Sequence, residues 1–157
     1  MATDDPFDLE RFVRAQEGIF EAAMCELRAG AKRSHWMWFV FPQAAGLGQS
    51  DMARLFAIRT ISEAQAYLSH PLLGTRYRQA VNILKWLPDM IAAEAVFGAV
   101  DAMKLRSSLT LFVLAAPHEP DFAGALARHF PEGPCLRTHF ILATAQTPPV
   151  SIGRENC

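Results

Sequence analysis

Apolar residues along this chain recur mostly at three- and four-residue steps. Between residues 8 and 29, Leu9, Phe12, Val13, Gln16, Ile19, Phe20, Ala23 and Leu27 keep that spacing. It lays one stripe along a helix, with Glu10, Arg14, Glu17, Glu21 and Arg28 on the opposite, solvated face. Asp8 is the expected N-cap and Gly30 the expected stop. Ser50 or Asp51 is expected to cap a short helix over 50–58, and Ser62 another over 62–70. Pro71 suits a first helical position, and Leu72, Leu73, Tyr77, Ala80, Leu84 and Leu87 continue the pattern. Gly74 inside that helix costs about 1 kcal/mol against alanine unless something packs closely over it.

Pro88 ends that element, and a short helix follows up to Gly98. Asp101 is placed to cap the next, which is apolar almost all round from Leu109 to Ala116 and therefore belongs at the centre of a bundle. Two further helices are expected over 121–130 and 136–146, separated by Pro131. No hairpin signal or alternating strand pair appears. The pattern predicts an all-α, compact single-domain bundle of about six to eight helices over 1–146, with 147–157 as a C-terminal tail. The segment 35–41 is open between a short helix and a buried strand. Pro42 pushes Phe41 out of helical angles, so a helix there ends before the proline.

Length and charge narrow the class. A chain of 157 residues buries roughly 70% of its unfolded surface and needs no disulfide or structural metal. The net charge of -1 argues against a dedicated nucleic-acid binder, which carries a strong basic excess. No apolar run is long enough to span a bilayer. The start, "MATDDPFD", lacks the apolar stretch of a secretory signal. Cys25, Cys135 and Cys157 form no C-x-x-C pair and read as reduced thiols in a cytoplasmic protein.

The standard chemical motifs are missing. There is no G-x-G-x-x-G, Walker loop or H-E-x-x-H, and the histidines have no metal-ligand spacing. Two stretches stand out instead. "KRSHWMWFVFPQ" (32–43) sets cations and a histidine against a run of large apolar residues. Each of its aromatics can bury about 150–250 Å², and each buried indole N–H needs an acceptor. His35 sits at the edge of this wall. "DAMKLRSSLTLF" (101–112) begins a central helix with polar groups. Helical geometry aligns Lys104 with Ser107 and Ser108, and turns Arg106 nearly opposite. The two cations therefore cannot share one pocket if the stretch is regular helix. A purely structural account pairs Asp101 with Lys104 and bonds the serines back to the preceding turn. The functional account is an anion site with Arg106 as a planar fork.

With "RSHWMWFVFPQ", "GLG-S", "AxxYLxHPLLGxR" and "KLRSSLTLF" in this order, the chain resembles the bacterial family catalogued as domain of unknown function 1810, some of whose members have been labelled calpastatin. The resemblance runs from about Leu9 to Leu142 and implies a mainly α-helical fold. It lends no activity. A calpastatin would be a disordered protease inhibitor, and this compact, apolar chain does not look like one. The family pattern falls on Ser34, His35, Trp36, Trp38, Phe41, Pro42, Gln43, His70, Pro71, Gly74, Lys104, Arg106, Ser107 and Ser108. Two departures stand out: "GAVDAMK" lacks a serine expected beside the glycine, and "CLRTHF" lacks an acidic residue expected before the threonine region.

Two functions fit these features. The first is a small-molecule or nucleotide-like ligand site taking an anionic or ring-containing molecule. There Trp36 or Trp38 stacks a ring, Gln43 reads its edge, Lys104 or Arg106 holds the anion with Ser107 beside it, and His35 serves as acid or base if there is chemistry. No cofactor is indicated. The alternative is a non-enzymatic interaction module that docks a protein partner through the Trp-rich segment.

Overall fold

The computed structural model describes residues 4–146. Among them are nine helices: α1 (Glu10–Gln16), α2 (Phe20–Arg28), α3 (Met37–Val40), α4 (Asp51–Leu55), α5 (Ile61–Ser69), α6 (Pro71–Trp86), α7 (Ala93–Ala115), α8 (Pro120–His129) and α9 (Leu136–Gln146). No described segment forms a sheet; Ala44 and Ile58 make one isolated bridge. The fold is all-α. The expected tail, 147–157, lies outside the described residues.

The helix expected over 8–29 is two helices, which takes the total past the expected six to eight. Gly18 adopts φ +73° and breaks it. The apolar stripe keeps its phase across the break: Phe12, Gln16, Phe20, Ala23 and Leu27 are all buried. Periodicity therefore passes through the interruption unseen. Asp8 is not the cap. Its φ is +50°, and the Asp5 carboxylate accepts the Leu9 and Glu10 N–H groups instead, at 2.8 and 3.0 Å. Gly30 does end α2, at φ +71°, with the Ala31 N–H bonded to the Glu26 carbonyl at 3.0 Å.

Ser50 caps α4 through the Ala53 N–H. Thr60, not Ser62, caps α5 through the Glu63 N–H. His70 caps α6 with its imidazole, ahead of Pro71. The doubtful 35–41 segment holds a four-residue helix, α3, closed as expected before Pro42. Gly98 (φ +80°, ψ +164°) kinks α7 near its start. Asp101 caps nothing there; its carboxylate is used in ion pairs.

α7 is central, packing on α5, α8, α9 and α3. Its rings join a continuous aromatic chain: Tyr67 to Phe112 at 5.5 Å, Phe112 to Tyr77 at 4.1 Å, Tyr77 to Phe122 at 5.4 Å. Gln16, Tyr77 and Ser108 are polar groups inside this core, and each is partnered, as burial demands. Gln16 donates to the Phe39 carbonyl at 2.7 Å and accepts from Arg76 at 3.1 Å. The Tyr77 hydroxyl meets Ser108 Oγ at 3.0 Å. Burial pushes both Tyr67 and Tyr77 well above the usual phenol range.

Candidate functional site

The Trp-rich segment is held in place by one carboxylate. Glu26, in the last turn of α2, accepts the N–H groups of Arg33 and Ser34 and the indole N–H of Trp36, at 2.7, 3.0 and 2.9 Å. It also accepts the Ser34 hydroxyl. Burial pushes its pKa up, but these donors outweigh burial and hold it at about 2 rather than 4.5. A depressed carboxylate adds stability that is complete above its unfolded pKa and is lost as pH falls through the folded one. The Glu26 contribution should therefore fade from about 4.5 down to about 2. Urea midpoints measured between about pH 2 and pH 6 should fall along that window in the native protein and change less in Glu26→Gln. Equal acid sensitivity in the two proteins would show that Glu26 does not govern this limb.

The two tryptophans have different environments. Trp36 has no exposed surface. Its ring packs at 6.2 Å from Phe41 and 6.4 Å from Phe97. Trp38 is half-buried, and the Lys104 ammonium lies 3.9 Å from its ring centroid. Lys104 also pairs with Asp101 at 3.2 Å, and Asp101 pairs in turn with Lys32 at 2.8 Å. Lys32 stands 5.0 Å from the Trp36 ring. The start of the polar α7 stretch and the Trp-rich segment therefore meet. Two ammonium groups flank one carboxylate there, against an aromatic wall. The pairing of Asp101 with Lys104 is the one expected from their helical spacing. His35 is exposed on the adjoining turn.

Arg106 does not join this cluster. Its guanidinium donates to the Gly133 and Pro134 carbonyls at 2.7 and 3.1 Å, nearly opposite Lys104 on α7. This is the divergence that helical spacing dictates. Ser107 bonds back to the Met103 carbonyl at 3.1 Å and lies 3.4 Å from the Cys135 sulfur. Cys135 occupies the position before α9, and its N–H is held by Thr110 Oγ1 at 2.9 Å. Burial raises the Cys135 thiol, yet the Ser107 and Thr138 hydroxyls and the N–H groups of Thr138 and Arg137 outweigh it. The thiol is held below the usual cysteine range, as for a sulfur at a helix start.

Two buried polar atoms among the described residues lack a hydrogen bond: Gln43 Nε2 and Thr138 Oγ1. The Thr138 hydroxyl faces the Cys135 sulfur without reaching hydrogen-bond geometry. The elements that carry these atoms touch. Arg137, next to Thr138, donates to the Gly46 carbonyl at 3.3 Å, and Ile141 lies against Gly46. An unpaired buried donor costs roughly 1–3 kcal/mol, so such groups call for an explanation.

The predicted residues thus divide. Lys104, Trp38 and the Trp36 wall come together, and His35 lies on the adjoining turn. Ser107 lies one helical turn from Lys104, toward Cys135, and Gln43 is buried without a partner. Arg106 belongs to a different face. Pattern reading did not find Glu26 or Cys135. Glu26 sits on a helix face that reads as ordinary solvated surface, and Cys135 carries no motif. Among the described residues no group of three or more His, Cys, Asp or Glu could hold a metal ion. No described helix is long and apolar enough to cross a membrane.

Comparison with known proteins agrees with the sequence motifs. No curated protein is significantly similar to this chain. The chain is similar to the conserved hypothetical protein Rv1873 from Mycobacterium tuberculosis, known from a crystal structure at 1.38 Å. The two share 46% sequence identity and superpose with a TM-score of 0.86, over 88% of this chain and 99% of that one. The model of a family described as "Protein of unknown function (DUF1810)" matches residues 6–142. With most of its length inside that match, the chain belongs to the DUF1810 family.

Proposed function

We propose that this protein binds a small anionic, ring-containing molecule, nucleotide-like in its chemistry, where the Trp-rich segment meets α7. The observation that carries this reading is the Lys104 ammonium over the half-buried Trp38 ring, 3.9 Å from its centroid. A cation beside an aromatic face offers a ligand both a charge partner and a stacking surface. In this reading Trp38 stacks the ring, Lys104 meets the anionic group, and Gln43 and Ser107 supply polar contacts. His35, exposed on the adjoining turn, is the group for proton transfer if a reaction follows binding. Trp36 and Arg106 act as supports. The Trp36 indole is committed to Glu26, and Arg106 donates to two main-chain carbonyls.

Docking of a protein partner through the Trp-rich segment is the weaker reading. An interface anchor needs accessible aromatic surface, and Trp36 has none.

A thermal-shift screen with nucleotides, NAD fragments and sugar phosphates tests the proposal. A binder present at about 100 times its Kd should add about 2.7 kcal/mol of apparent stability. Lys104→Ala and Trp38→Ala should each weaken that ligand at least tenfold. Lys104→Ala should cost less than about 1 kcal/mol of stability without ligand, as expected for a partly exposed pair. His35→Ala should also lose binding with little change in melting temperature, because the side chain is exposed. A screen with no hit, or a hit insensitive to Lys104 and Trp38, would remove the proposal.

A further inference from the structure

We propose a second, separate site: the cavity between the N-terminal residues 6–11, α4 and the start of α5 binds a small phosphorylated molecule with a short apolar or ring body. The cavity holds about 470 Å³ and shares no lining residue with the Trp38–Lys104 cluster. Its size falls in the range of small-molecule sites, roughly 300–1,000 Å³.

The cavity contains Arg11, Arg54 and Arg59, and their states differ. Arg11 is fully committed. Its Nε and both terminal nitrogens donate to the carbonyls of Leu55, Phe7, Asp8 and Ala57 and to the Glu63 carboxylate. A guanidinium has five N–H donors, so none is left for a ligand. The Glu63 carboxylate, 2.9 Å away, cancels its charge. Arg11 therefore shapes the cavity and ties the N-terminal segment to α4 and α5.

Arg54 and Arg59 are the cations left accessible to a ligand. Both are exposed. Among the described residues Arg54 reaches only Asp51, at 4.0 Å, and both of those side chains are open to solvent. Arg59 uses its main-chain N–H on Glu63 Oε1 at 2.9 Å, which fixes the backbone. Its guanidinium has no partner among the described residues. With Arg11 and Glu63 cancelled, the lining keeps two exposed guanidinium groups, Arg59 and the weakly paired Arg54, against the single carboxylate of Asp8. Planar forks of this kind match phosphate oxygens two at a time.

Two more features mark the same place. Leu55 is 55% exposed and, with Phe7, gives the cavity an apolar side next to the accessible cations. A large aliphatic group left open beside accessible positive charge is where a ligand with both an anionic and an apolar part gains from both. Asp8, also in the lining, is the one described non-glycine residue with positive φ, at +50°. Its carbonyl accepts from the Arg11 side chain at 2.8 Å, which holds that conformation. Backbone held in a sparsely populated region clusters at ligand sites.

Phenyl phosphate is a suitable probe, with inorganic phosphate and benzoate as comparisons. Amide chemical shifts of the native protein should move at Leu55, Arg59 and Thr60 on titration. Phenyl phosphate should bind more tightly than either comparison, because only it carries both the dianion and the ring. The double variant Arg54→Ala/Arg59→Ala should weaken it at least tenfold with an unchanged melting temperature. Lys104→Ala should leave this titration unaltered, which separates the result from the fate of the Trp38 site. Shifts that map elsewhere, or an affinity unchanged in the double variant, would overturn the proposal. So would binding that disappears at about 0.15 M salt, the mark of diffuse surface attraction. Equal affinity for benzoate or for inorganic phosphate would overturn the assignment of ligand class.

Discussion

Gly74→Ala is expected to unfold this protein or leave it severely destabilised, by about 4 kcal/mol or more. A Cβ at position 74 would stand 2.0 Å from the Leu68 carbonyl oxygen and 2.8 Å from its carbon. These are main-chain atoms, so no rotamer change relieves the clash. α5 ends at Ser69 and α6 begins at Pro71, leaving only His70 to turn the chain. The Leu68 carbonyl folds over the first turn of α6 and also accepts from Arg78 at 3.1 Å. Relief would require opening this corner. That would uncouple Tyr67 and Leu73, both buried, from the core. The helix-propensity gain of alanine, about 1 kcal/mol, is far too small to compensate. Gly124 is the control. It lies in α8, exposed, with nothing within 4 Å of a Cβ, so Gly124→Ala should stabilise by up to about 1 kcal/mol. Thermal melts followed by circular dichroism compare them directly. For a chain this size, 4 kcal/mol is on the order of 10 °C. A Gly74→Ala protein melting within about 2 °C of the parent would mean that the α5–α6 corner yields easily.

Trp36→Ala should cost about 3–5 kcal/mol, whereas Trp38→Ala should act chiefly on ligand binding. The two residues are near neighbours in a single apolar run, but only Trp36 is wholly enclosed. Truncating it opens a cavity beside Phe41 and Phe97 and removes one donor from Glu26. The surrounding rings are held by other contacts and cannot collapse fully into the space. Trp36→Phe should be milder, since it keeps most of the volume and loses mainly the N–H. Urea midpoints would rank the three variants. If Trp36→Ala and Trp38→Ala cost the same, the distinction between a core indole and a site indole would fall, and with it the choice of Trp38 as the stacking surface.

Much of the fold is legible in the sequence alone. The span of α9, the proline start of α6, the Ser50 cap and the Gly30 stop all follow from local chemistry. Local chemistry depends on neighbours in sequence, so those elements could be read from it. The misreadings have physical causes too. Gly18 interrupts a helix without disturbing the phase of the apolar stripe. Thr60 and Ser62 are both competent caps, and Glu63 decides between them by tying Arg59 and Arg11 at the helix start. Asp8 yields its capping role to Asp5 because the chain reverses between them.

The sequence by itself determined the helical class, the apolar faces and the divergence of Lys104 from Arg106, because these rest on the fixed pitch of a helix. Only the tertiary structure decided which tryptophan is core and which can meet a ligand. That choice depends on where the Glu26 carboxylate and the Lys104 ammonium arrive from elsewhere in the chain. The same holds for the three arginines around the N-terminal cavity. Their types are evident in sequence, but which of them is spent on carbonyl groups and which stays accessible is set by packing alone.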